Sequence, residues 1–512
     1  MKNRNKYIVP GVLVLLLSVF SGCEDFLDRY PDNALTADQL FSERQYAQTT
    51  ITALYDLLSE GYMLGRTVPL RGSLKGADFF HFVENPNVRF DIEYKYVEIS
   101  SNAGYAGYLW NYCYITIYSC NSIIPVIPQL DGEEAIKNDM LAQALTIKAI
   151  AYLELLRAFC YPPWMARSDE KYSLGVPLLK SDSDHSNAIK NPPRRASFEA
   201  CFDYAIELLT TSTTLVDPDR TEKYFLTEQA IWAILANAYL YNEDWTLAIE
   251  AALKAESLGG SMIDKSEFIS SMTQRYNNEA VFEINYDDND NLGTSCLAYY
   301  AVKSVNPQGR IDGSSIGYGD YGASNAFINL FVPEDIRNEL FKEDKTSSSS
   351  SQPGEPGYSA RAYHKYMGIG SPLIHQVPYI RLPEILLVAA EAYSESGNET
   401  EALNYLNKVY SARTGITLTG LTGEALKTEI FNERRRELAL EGHELYDYLR
   451  KGKAFNRDSS HPWPIRIDPV NGRNDEDFHK VVYPIPQTEM DANPNIRDQQ
   501  NPGYAPYQGS SD

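Results

Sequence analysis

A cysteine near the start of the chain, Cys23, stands where a bacterial lipoprotein carries its lipid. Three basic residues come first, an apolar run covers residues 8–20, and the small residues Ser21 and Gly22 directly precede the cysteine. Small side chains let the backbone enter the cleft of a signal peptidase. The thiol can then carry a diacylglyceryl thioether and fatty acyl groups such as palmitate. The pattern predicts a signal peptide at residues 1–22 and lipid attachment at Cys23.

The apolar run could also be a transmembrane helix, but its length argues against this. It has 13 residues and contains Pro10, whereas about 20 apolar residues are needed to span a bilayer. No other segment of the sequence approaches that length. We therefore predict membrane attachment through the lipid on Cys23 alone, with residues 23–36 as a flexible, lipid-anchored segment.

Two further motifs could carry chemistry, and neither lies in the required setting. Residues 313–317 match the Gly-x-Ser-x-Gly motif of hydrolases, whose serine needs a strand before it and a helix after it. Their flanks are short or rich in glycine, which predicts a flexible loop. Residues 287–291 are rich in oxygen ligands, but Gly293 is misplaced for an EF-hand turn and the distant glutamate is missing. We predict a solvated turn there and no cofactor, and leave a structural calcium ion open.

No other sequence motif in this chain indicates enzyme chemistry. The seven histidines show no His-Glu-x-x-His spacing or comparable metal motif. The two carboxylates of a glycosidase are related in space, so they could stand anywhere among the 69 acidic residues. We predict that the chain is not an enzyme and has no catalytic residue or metal site, with a lipid-anchored glycan hydrolase as the alternative.

Charge and cysteine usage narrow the possible partners and crosslinks. The formal net charge is −23, and binding to phosphate needs clustered positive charge, so no nucleic-acid partner is expected. Lipidation of Cys23 would leave five of the six cysteines, an odd number. Cys113 and Cys120 would lie about 10 Å apart on a helix, beyond the ~7 Å that a disulfide tolerates. We predict buried, unpaired thiols.

Tyrosine is unusually abundant, with 37 residues against 19 Phe and 5 Trp. Tyrosine and tryptophan combine a flat apolar face with a polar tip, which suits surfaces that hold amphipathic ligands.

Apolar residues at helical spacing predict a mainly α-helical protein. The predicted helices lie near residues 37–60, 110–160, 198–256, 380–412 and 424–450. Between them, segments near 61–107 and 259–376 lose this period and are predicted to be surface insertions, with a strand at 279–286 and an exposed loop at 347–357. All of this is expected to form one domain, residues 37–512.

An internal repeat indicates which helices pair. A large-large-small-large pattern recurs on the first helix of each pair, as in tetratricopeptide repeats, and small residues follow where the second helix crosses it. The pattern occupies Trp232, Leu235, Ala236, Tyr239, Ala248 and Ala255, then Leu386, Ala390, Tyr393 and Ala402, and in part Leu145, Ala149 and Tyr152. Trp232 and Tyr239 are therefore predicted to pack in the core.

The last predicted helix, residues 430–450, carries two arginines on an apolar stripe. The two are Arg434 and Arg435; Arg434 lies three positions before Glu437, and Glu441 follows one helical turn after Glu437. An arginine in such a place needs a partner, so we predict structural Arg-Glu pairs.

A series of short motifs in a shared order resembles the SusD/RagB family of outer-membrane nutrient-binding lipoproteins. The resemblance covers nearly the whole chain after residue 22. It rests on residues 23–28, 110–124, 149–156, 175–177, 278–283, 379–392, 407–413, 432–442, 483–489 and 501–504. The segment 161–173 departs from the family pattern, because an insertion with Pro162, Pro163 and Trp164 precedes Gly175-Val176-Pro177.

The resemblance implies a superhelix of tetratricopeptide-like helix pairs and a role in nutrient uptake. One side would pack on a SusC-like TonB-dependent transporter in the outer membrane, and loops on the other would bind oligosaccharide. The protein would act as a lid over the barrel. The acidic residues after Cys23 resemble the export signal that places such lipoproteins on the exterior of the cell.

In members of this family, the glycan site is formed by the irregular segment before the helix predicted to start at residue 110 and by the insertion between the repeats. By this resemblance the candidate ligand-binding residues are Asp78, Tyr94, Tyr96, Asn102, Tyr105, Tyr299, Tyr300, Tyr318 and Tyr321. A peptide ligand and a scaffold that binds only protein stay open as alternatives.

Overall fold

The computed structural model describes residues 44–81, 89–181, 187, 190–304, 316–343, 361–366, 368, 373–375, 377–457, 463–473 and 475–509. The predicted signal peptide, Cys23 and the segment 23–36 lie outside these residues, as do Ser314 of the hydrolase-like motif and the predicted loop 347–357. Among the helices of the described ranges, none is long and apolar enough to cross a membrane.

Helices dominate the described part of the chain, which confirms the predicted fold class. In chain order they are α1 (Arg44–Ser59), α2 (Thr67–Leu74), α3 (Asp91–Lys95), α4 (Tyr105–Ile123), α5 (Glu134–Phe159), α6 (Pro163–Ser168), α7 (Phe198–Leu215), α8 (Glu228–Tyr241), α9 (Trp245–Ser257), α10 (Phe268–Ser271), α11 (Leu297–Ala301), α12 (Asn325–Ile328), α13 (Leu382–Glu395), α14 (Glu399–Thr414), α15 (Gly423–Glu437), α16 (Glu444–Arg450) and α17 (Gln487–Ala492).

The long helices pack in pairs. Helix α5 packs on α7, α8 on α9 and α13 on α14, and α9 in turn contacts α13. The face of α9 in these contacts is built from alanines, including the buried Ala248 and Ala255, because small side chains let two helices approach closely. Trp232 and Tyr239 are partly buried and packed against the main core, as the repeat pattern predicts.

Short strands fasten the irregular segments to this helical frame. They form antiparallel pairs of β1 (Phe79–His81) with β5 (Tyr321–Ala323), β2 (Leu174–Pro177) with β3 (Arg195–Ser197), β4 (Ala280–Ile284) with β8 (Val377–Arg381), β6 (Phe341–Glu343) with β7 (Arg361–Tyr363), and β9 (Phe455–Arg457) with β10 (Ile465–Ile467). The strand predicted at 279–286 is β4. The pair β1–β5 joins the two predicted insertions.

The prediction of a single helix at 430–450 is wrong, because a turn separates α15 from α16. Leu440 and Gly442 have φ values of 61° and 86°, a conformation that costs little only for glycine. A Cβ on Gly442 would lie 2.5 Å from the carbonyl oxygen of Val68 in α2. Close packing of this turn against α2 therefore ends α15. Helix α2 is itself fully buried, although the sequence placed it in a surface segment.

A set of paired charges lies inside the fold where α15 meets the strands β4 and β8. We call it the buried charge network; it consists of Glu279, Arg337, Arg381, Arg413, Glu433, Glu437 and Glu441. Glu437 lies at its centre and accepts from Arg337 at 2.9 Å, Arg381 at 2.8 Å and Arg413 at 3.0 Å. Burial works against its ionisation, but Arg413, Arg381 and Arg337 together hold the pKa of Glu437 well below its usual range.

The two arginines that the sequence predicted to be structural are paired with residues outside their own helix, among them Glu391, 3.7 Å from Arg434. Arg434 donates to Asp447 at 2.9 Å, and the Nε of Arg435 donates to Asp78 at 3.0 Å. The expected glutamates instead join the network. Cys113, Cys120, Cys160, Cys201 and Cys296 are buried, and none of these described cysteines forms a disulfide.

Candidate functional site

Tyrosine rings and two arginines lie together where five parts of the chain meet. These are the segments before α2, α3 and β5 and the helices α4 and α11. We call this set the tyrosine–arginine cluster; it consists of Tyr62, Arg66, Arg89, Tyr105, Tyr108, Tyr112, Tyr299, Tyr300 and Tyr318.

One wall of the cluster is the first turns of α4. Tyr105, Tyr108 and Tyr112 are three and four residues apart, which places their rings on one helix face. The ring of Tyr62 stacks on Tyr108 at 4.4 Å between centroids and lies 5.5 Å from Tyr112. Tyr108 is 52% exposed. This wall therefore presents a flat aromatic surface to solvent.

The start of α4 is held by the buried carboxyl group of Glu93. The amide of Tyr105 donates to Oε1 of Glu93 at 2.5 Å, and a Cβ on Gly104 would lie 2.2 Å from the same oxygen. Burial and the neighbouring Glu98 raise the pKa of Glu93 to about 8. The glycine lets the helix begin close against this side chain.

Arg66 joins the wall on α4 to α11. Its guanidinium carbon lies 5.2 Å from the Tyr62 ring centre, 5.1 Å from Tyr105 and 4.5 Å from Tyr300. Its Nη1 donates to the carbonyl of Ser295 at 2.8 Å. The cation is fixed by one hydrogen bond and by the faces of three rings.

Arg89 and Tyr318 form the other wall. The Arg89 guanidinium lies 3.3 Å from the ring centre of Tyr318 and pairs with Asp320 at 3.1 Å. The amide of Tyr318 donates to the carbonyl of Tyr299 at 2.7 Å, and the two rings meet edge to face at 4.8 Å. Backbone hydrogen bonds thus hold this wall at a fixed distance from α11.

Tyr105 and Tyr112 hold their phenol protons more tightly than a phenol in water does. Burial and the hydrogen bond with Tyr300 raise the pKa of Tyr105, and burial also raises the pKa of Tyr112. Each hydroxyl can therefore both donate and accept a hydrogen bond. The site combines flat apolar faces, neutral hydroxyls and two planar cations.

Four of the nine residues predicted from the sequence meet in this cluster: Tyr105, Tyr299, Tyr300 and Tyr318. Tyr321 lies behind it, buried in β5, and its hydroxyl donates to the carbonyl of Arg89 at 3.0 Å. Asn102 is exposed, and its backbone forms a bridge with Ile99.

The other three predicted residues are buried with partners of their own. Asp78 is ion-paired with Arg435. The Tyr94 ring stacks on His81 at 4.1 Å and under Arg457 at 4.4 Å. The hydroxyl of Tyr96 donates to the carbonyl of Lys75. We leave these three out of the candidate site, because their side chains are buried and in contact with other parts of the fold.

Sequence reasoning did not select Tyr62, Arg66, Arg89, Tyr108 or Tyr112. The spacing of Tyr105, Tyr108 and Tyr112 could have indicated a helix face, but the predicted helix began only at residue 110. The two arginines gave no comparable pattern, because they meet the tyrosines only in the folded chain.

The acidic run at 287–291 forms a turn, in agreement with the sequence. Oδ1 of Asp287 accepts from the amides of Asn289 and Asp290 at 2.7 and 2.9 Å, and these bonds lower the pKa of Asp287. Within the described ranges, no group of three or more His, Cys, Asp or Glu side chains is placed to hold a metal ion.

Two family models match separate parts of the chain. One, described as the SusD family, matches residues 373–504, and one described as starch-binding associating with outer membrane matches residues 25–240. The chain belongs to the SusD family. SusD-like protein P2 of Formosa agariphila is 26% identical, over 98% of this chain and 100% of its own length.

Solved SusD structures share the fold. A SusD superfamily protein from Bacteroides thetaiotaomicron is 26% identical with a TM-score of 0.77, covering 90% of this chain and all of its own. A putative sugar binding protein from Bacteroides vulgatus is 26% identical with a TM-score of 0.75, covering 91% of this chain and 99% of its own. The segment with Tyr299, Tyr300 and Tyr318 lies between the two matched SusD segments, so three of the nine cluster residues are outside both.

Proposed function

We propose that this SusD-family chain is a cell-surface lipoprotein that binds glycan and passes it to a SusC-like TonB-dependent transporter. In this role it is anchored in the outer membrane through Cys23, faces the exterior of the cell, and acts as a lid over the barrel. The observation that carries the proposal is the tyrosine–arginine cluster, with tyrosine faces open to solvent beside fixed planar cations.

The chemistry of the cluster suits a sugar. The C–H face of a pyranose packs on flat aromatic rings, and its hydroxyls need partners that can donate and accept. Neutral phenols meet the second need, and the guanidinium groups donate only. The description of the second family model as starch-binding and the name of the Bacteroides vulgatus neighbour support the same ligand class.

Binding without hydrolysis is the reaction class we infer. The carboxylate of Asp320, next to the cluster, already pairs with Arg89. A glycosidase needs one carboxyl group to donate a proton and a second to act on the sugar ring. The matching family models describe binding proteins, and neither describes a catalytic family.

The test is calorimetry of the purified protein in a detergent without a sugar headgroup. Soluble starch, β-glucan, xylan, mannan and pectin form the ligand panel, with a mixture of oligopeptides to test the alternative ligand. We expect heat of binding from at least one glycan and no new reducing ends after incubation. New reducing ends would favour a hydrolase, and binding of peptides alone would contradict the proposed ligand.

The double variant Tyr108→Ala, Tyr318→Ala locates the site. Both side chains are at least partly exposed, so the variant should fold and lose most glycan affinity. Tyr118→Ala is the matched control, since Tyr118 is 44% exposed on the same helix and outside the cluster. Unchanged affinity in the double variant would place the glycan elsewhere. We avoid Tyr321→Ala, because Tyr321 is buried.

The anchor and the partner are tested in cells. Cys23→Ser should release the protein from the membrane fraction, and protease added to whole cells should remove the wild-type protein from the surface. The wild-type protein should also co-purify with a barrel transporter. Protection from the protease would contradict the proposed orientation.

A further inference from the structure

A second cleft lies away from the tyrosine–arginine cluster, beside the turn between α8 and α9. It has a volume of about 420 Å³, and the end of α13, the start of α15 and the residues after α16 complete it. This volume is in the range of small-ligand sites. We call it the tryptophan cleft, because Trp164 and Trp245 line it.

Both tryptophans are half-buried, and contacts of their own hold them in place. The indole Nε1 of Trp164 donates to the carbonyl of Leu449 at 2.9 Å, and Arg473 lies 4.7 Å from its ring centre. The ring of Trp245 lies 5.9 Å from Nζ of Lys451. A ligand therefore meets aromatic surfaces that need little ordering when it binds.

The polar groups of the cleft are also fixed. Oε2 of Glu395 accepts from Lys427 at 2.6 Å, and its other oxygen accepts from Lys451. Arg450 lines the cleft but is neutralised from behind by Glu391 at 2.7 Å.

The remaining charges in the cleft balance. Three ammonium groups, those of Lys427, Lys451 and Lys453, face three carboxylates, those of Glu243, Glu395 and Glu424. A net charge close to zero gives no preference for an acidic or basic ligand.

The turn between α8 and α9 has an equivalent between α13 and α14. Comparing the two shows that the turn itself does not require the residues that line the cleft. Glu243, between α8 and α9, has φ 65°, and Gly397, between α13 and α14, has φ 82°. Each stands two residues after its helix ends. Glutamate in this left-handed conformation costs on the order of 1 kcal/mol or more, which glycine avoids. The next helix begins with Trp245 in the first turn and with Glu399 in the second. The turn between α8 and α9 is therefore strained at Glu243, and the carboxylate of Glu243 and the indole of Trp245 line the cleft.

We propose that the tryptophan cleft is a second carbohydrate site, which takes a neutral pyranose between Trp164 and Trp245. Its hydroxyls bond to Glu243, Glu395 and the lysines. A protein partner fits less well, because the centres of protein interfaces are depleted of charge. The tryptophan cleft, in contrast, is lined by the ion pairs of Glu395 with Lys427 and Lys451. The inference rests on the proposed function only in taking carbohydrate as the ligand class.

Fluorine NMR of protein labelled with 5-fluorotryptophan tests this site separately from the cluster. The chain has five tryptophans, and none belongs to the tyrosine–arginine cluster. Glucose, galactose, mannose and their disaccharides are titrated into the purified protein, with each resonance assigned by a Trp→Phe variant. We expect saturable shifts at Trp164 and Trp245 but not at the buried Trp110.

Two variants decide between the sites. The shifts should persist in Tyr108→Ala, Tyr318→Ala, where the proposed primary site is lost. In Glu243→Gly the dissociation constant should rise about tenfold, the effect of one lost hydrogen bond to a charged group. This variant should be at least as stable as the wild type, because glycine relieves the turn.

Three results would overturn the second site. One is the absence of a saturable shift at Trp164 and Trp245 with every sugar, and another is loss of the shifts in the double tyrosine variant. The third is unchanged affinity in Glu243→Gly. A shift caused by an added transporter but by no sugar would make the cleft a protein interface. Failure of the primary site appears only in calorimetry, so the two outcomes are distinguishable.

Discussion

Arginine is used in two ways in this molecule, in the buried charge network and in the tyrosine–arginine cluster. In the network, Arg337, Arg381 and Arg413 donate to carboxylates and are closed off from solvent. In the cluster, Arg66 is just as buried but lies against tyrosine rings, and Arg89, which is partly exposed, lies on Tyr318 and pairs with Asp320. A carboxylate takes up the charge of its partner, whereas the face of a ring compensates that charge only in part. The first arrangement fixes the fold, and the second holds tyrosine rings in place at a surface that can bind ligand.

The largest effect is expected at the centre of the network, in Glu437→Gln. Removing one buried charge leaves three arginines with less compensation, so the free energy of unfolding should fall by about 3–5 kcal/mol. Urea unfolding measures this. Glu424→Gln is the matched control, because Glu424 lies exposed at the start of the same helix and should change stability by less than about 0.5 kcal/mol. A small effect at Glu437 would mean that the network is not structural.

A buried carboxylate without an arginine hydrogen bond should behave in the opposite way. Within the described residues, Glu384 has no hydrogen-bond donor on either oxygen. His443 Nε2 lies 3.2 Å away, but burial and nearby Arg157 hold the pKa of His443 well below its usual range, so it stays neutral. Burial raises the pKa of Glu384 from 4.5 to about 7.

The sign of the pH dependence follows from this raised pKa. Between about pH 4.5 and pH 7 the folded protein keeps a proton that the unfolded chain has lost, so stability falls as pH rises. Glu384→Gln removes this penalty. Its gain in unfolding free energy over the wild type should be about 3 kcal/mol larger at pH 8 than at pH 4. An equal difference at both values would contradict the raised pKa.

Arg66→Met tests the arginine of the cluster. The variant loses the hydrogen bond to Ser295 and the contacts with three rings, which should lower the free energy of unfolding by about 2 kcal/mol. Thermal unfolding measures the change, and Arg194→Met, at an exposed ion pair, is the control. A loss as large as that of Glu437→Gln would erase the distinction between the two regions.

The smallest effect on stability is expected for Tyr108→Ala. The side chain is half exposed, so unfolding should change by less than about 0.5 kcal/mol while glycan affinity falls. Parallel urea unfolding and calorimetry separate the two effects. A large loss of stability would show that Tyr108 is a structural residue.

Local sequence patterns predicted the helical frame because a buried helix face needs apolar residues at helical spacing. The repeat around Leu235 and Ala236 and its copy around Leu386 and Ala390 marked two helix pairs that the structure contains. The strand at β4 was also readable from local pattern. The break at Gly442 was not, because it depends on contact with α2, which is distant in the sequence.

For the candidate site, the sequence determined the residue types, and the tertiary structure decided their roles. Tyr94, Tyr96 and Tyr318 look alike in the sequence, yet the first two are buried and the third lies on Arg89. Likewise, only the fold decides that Arg337 pairs with carboxylates and that Arg66 lies against tyrosine rings. Burial and pairing are set by contacts between segments that are distant in the sequence, and no local pattern encodes those contacts.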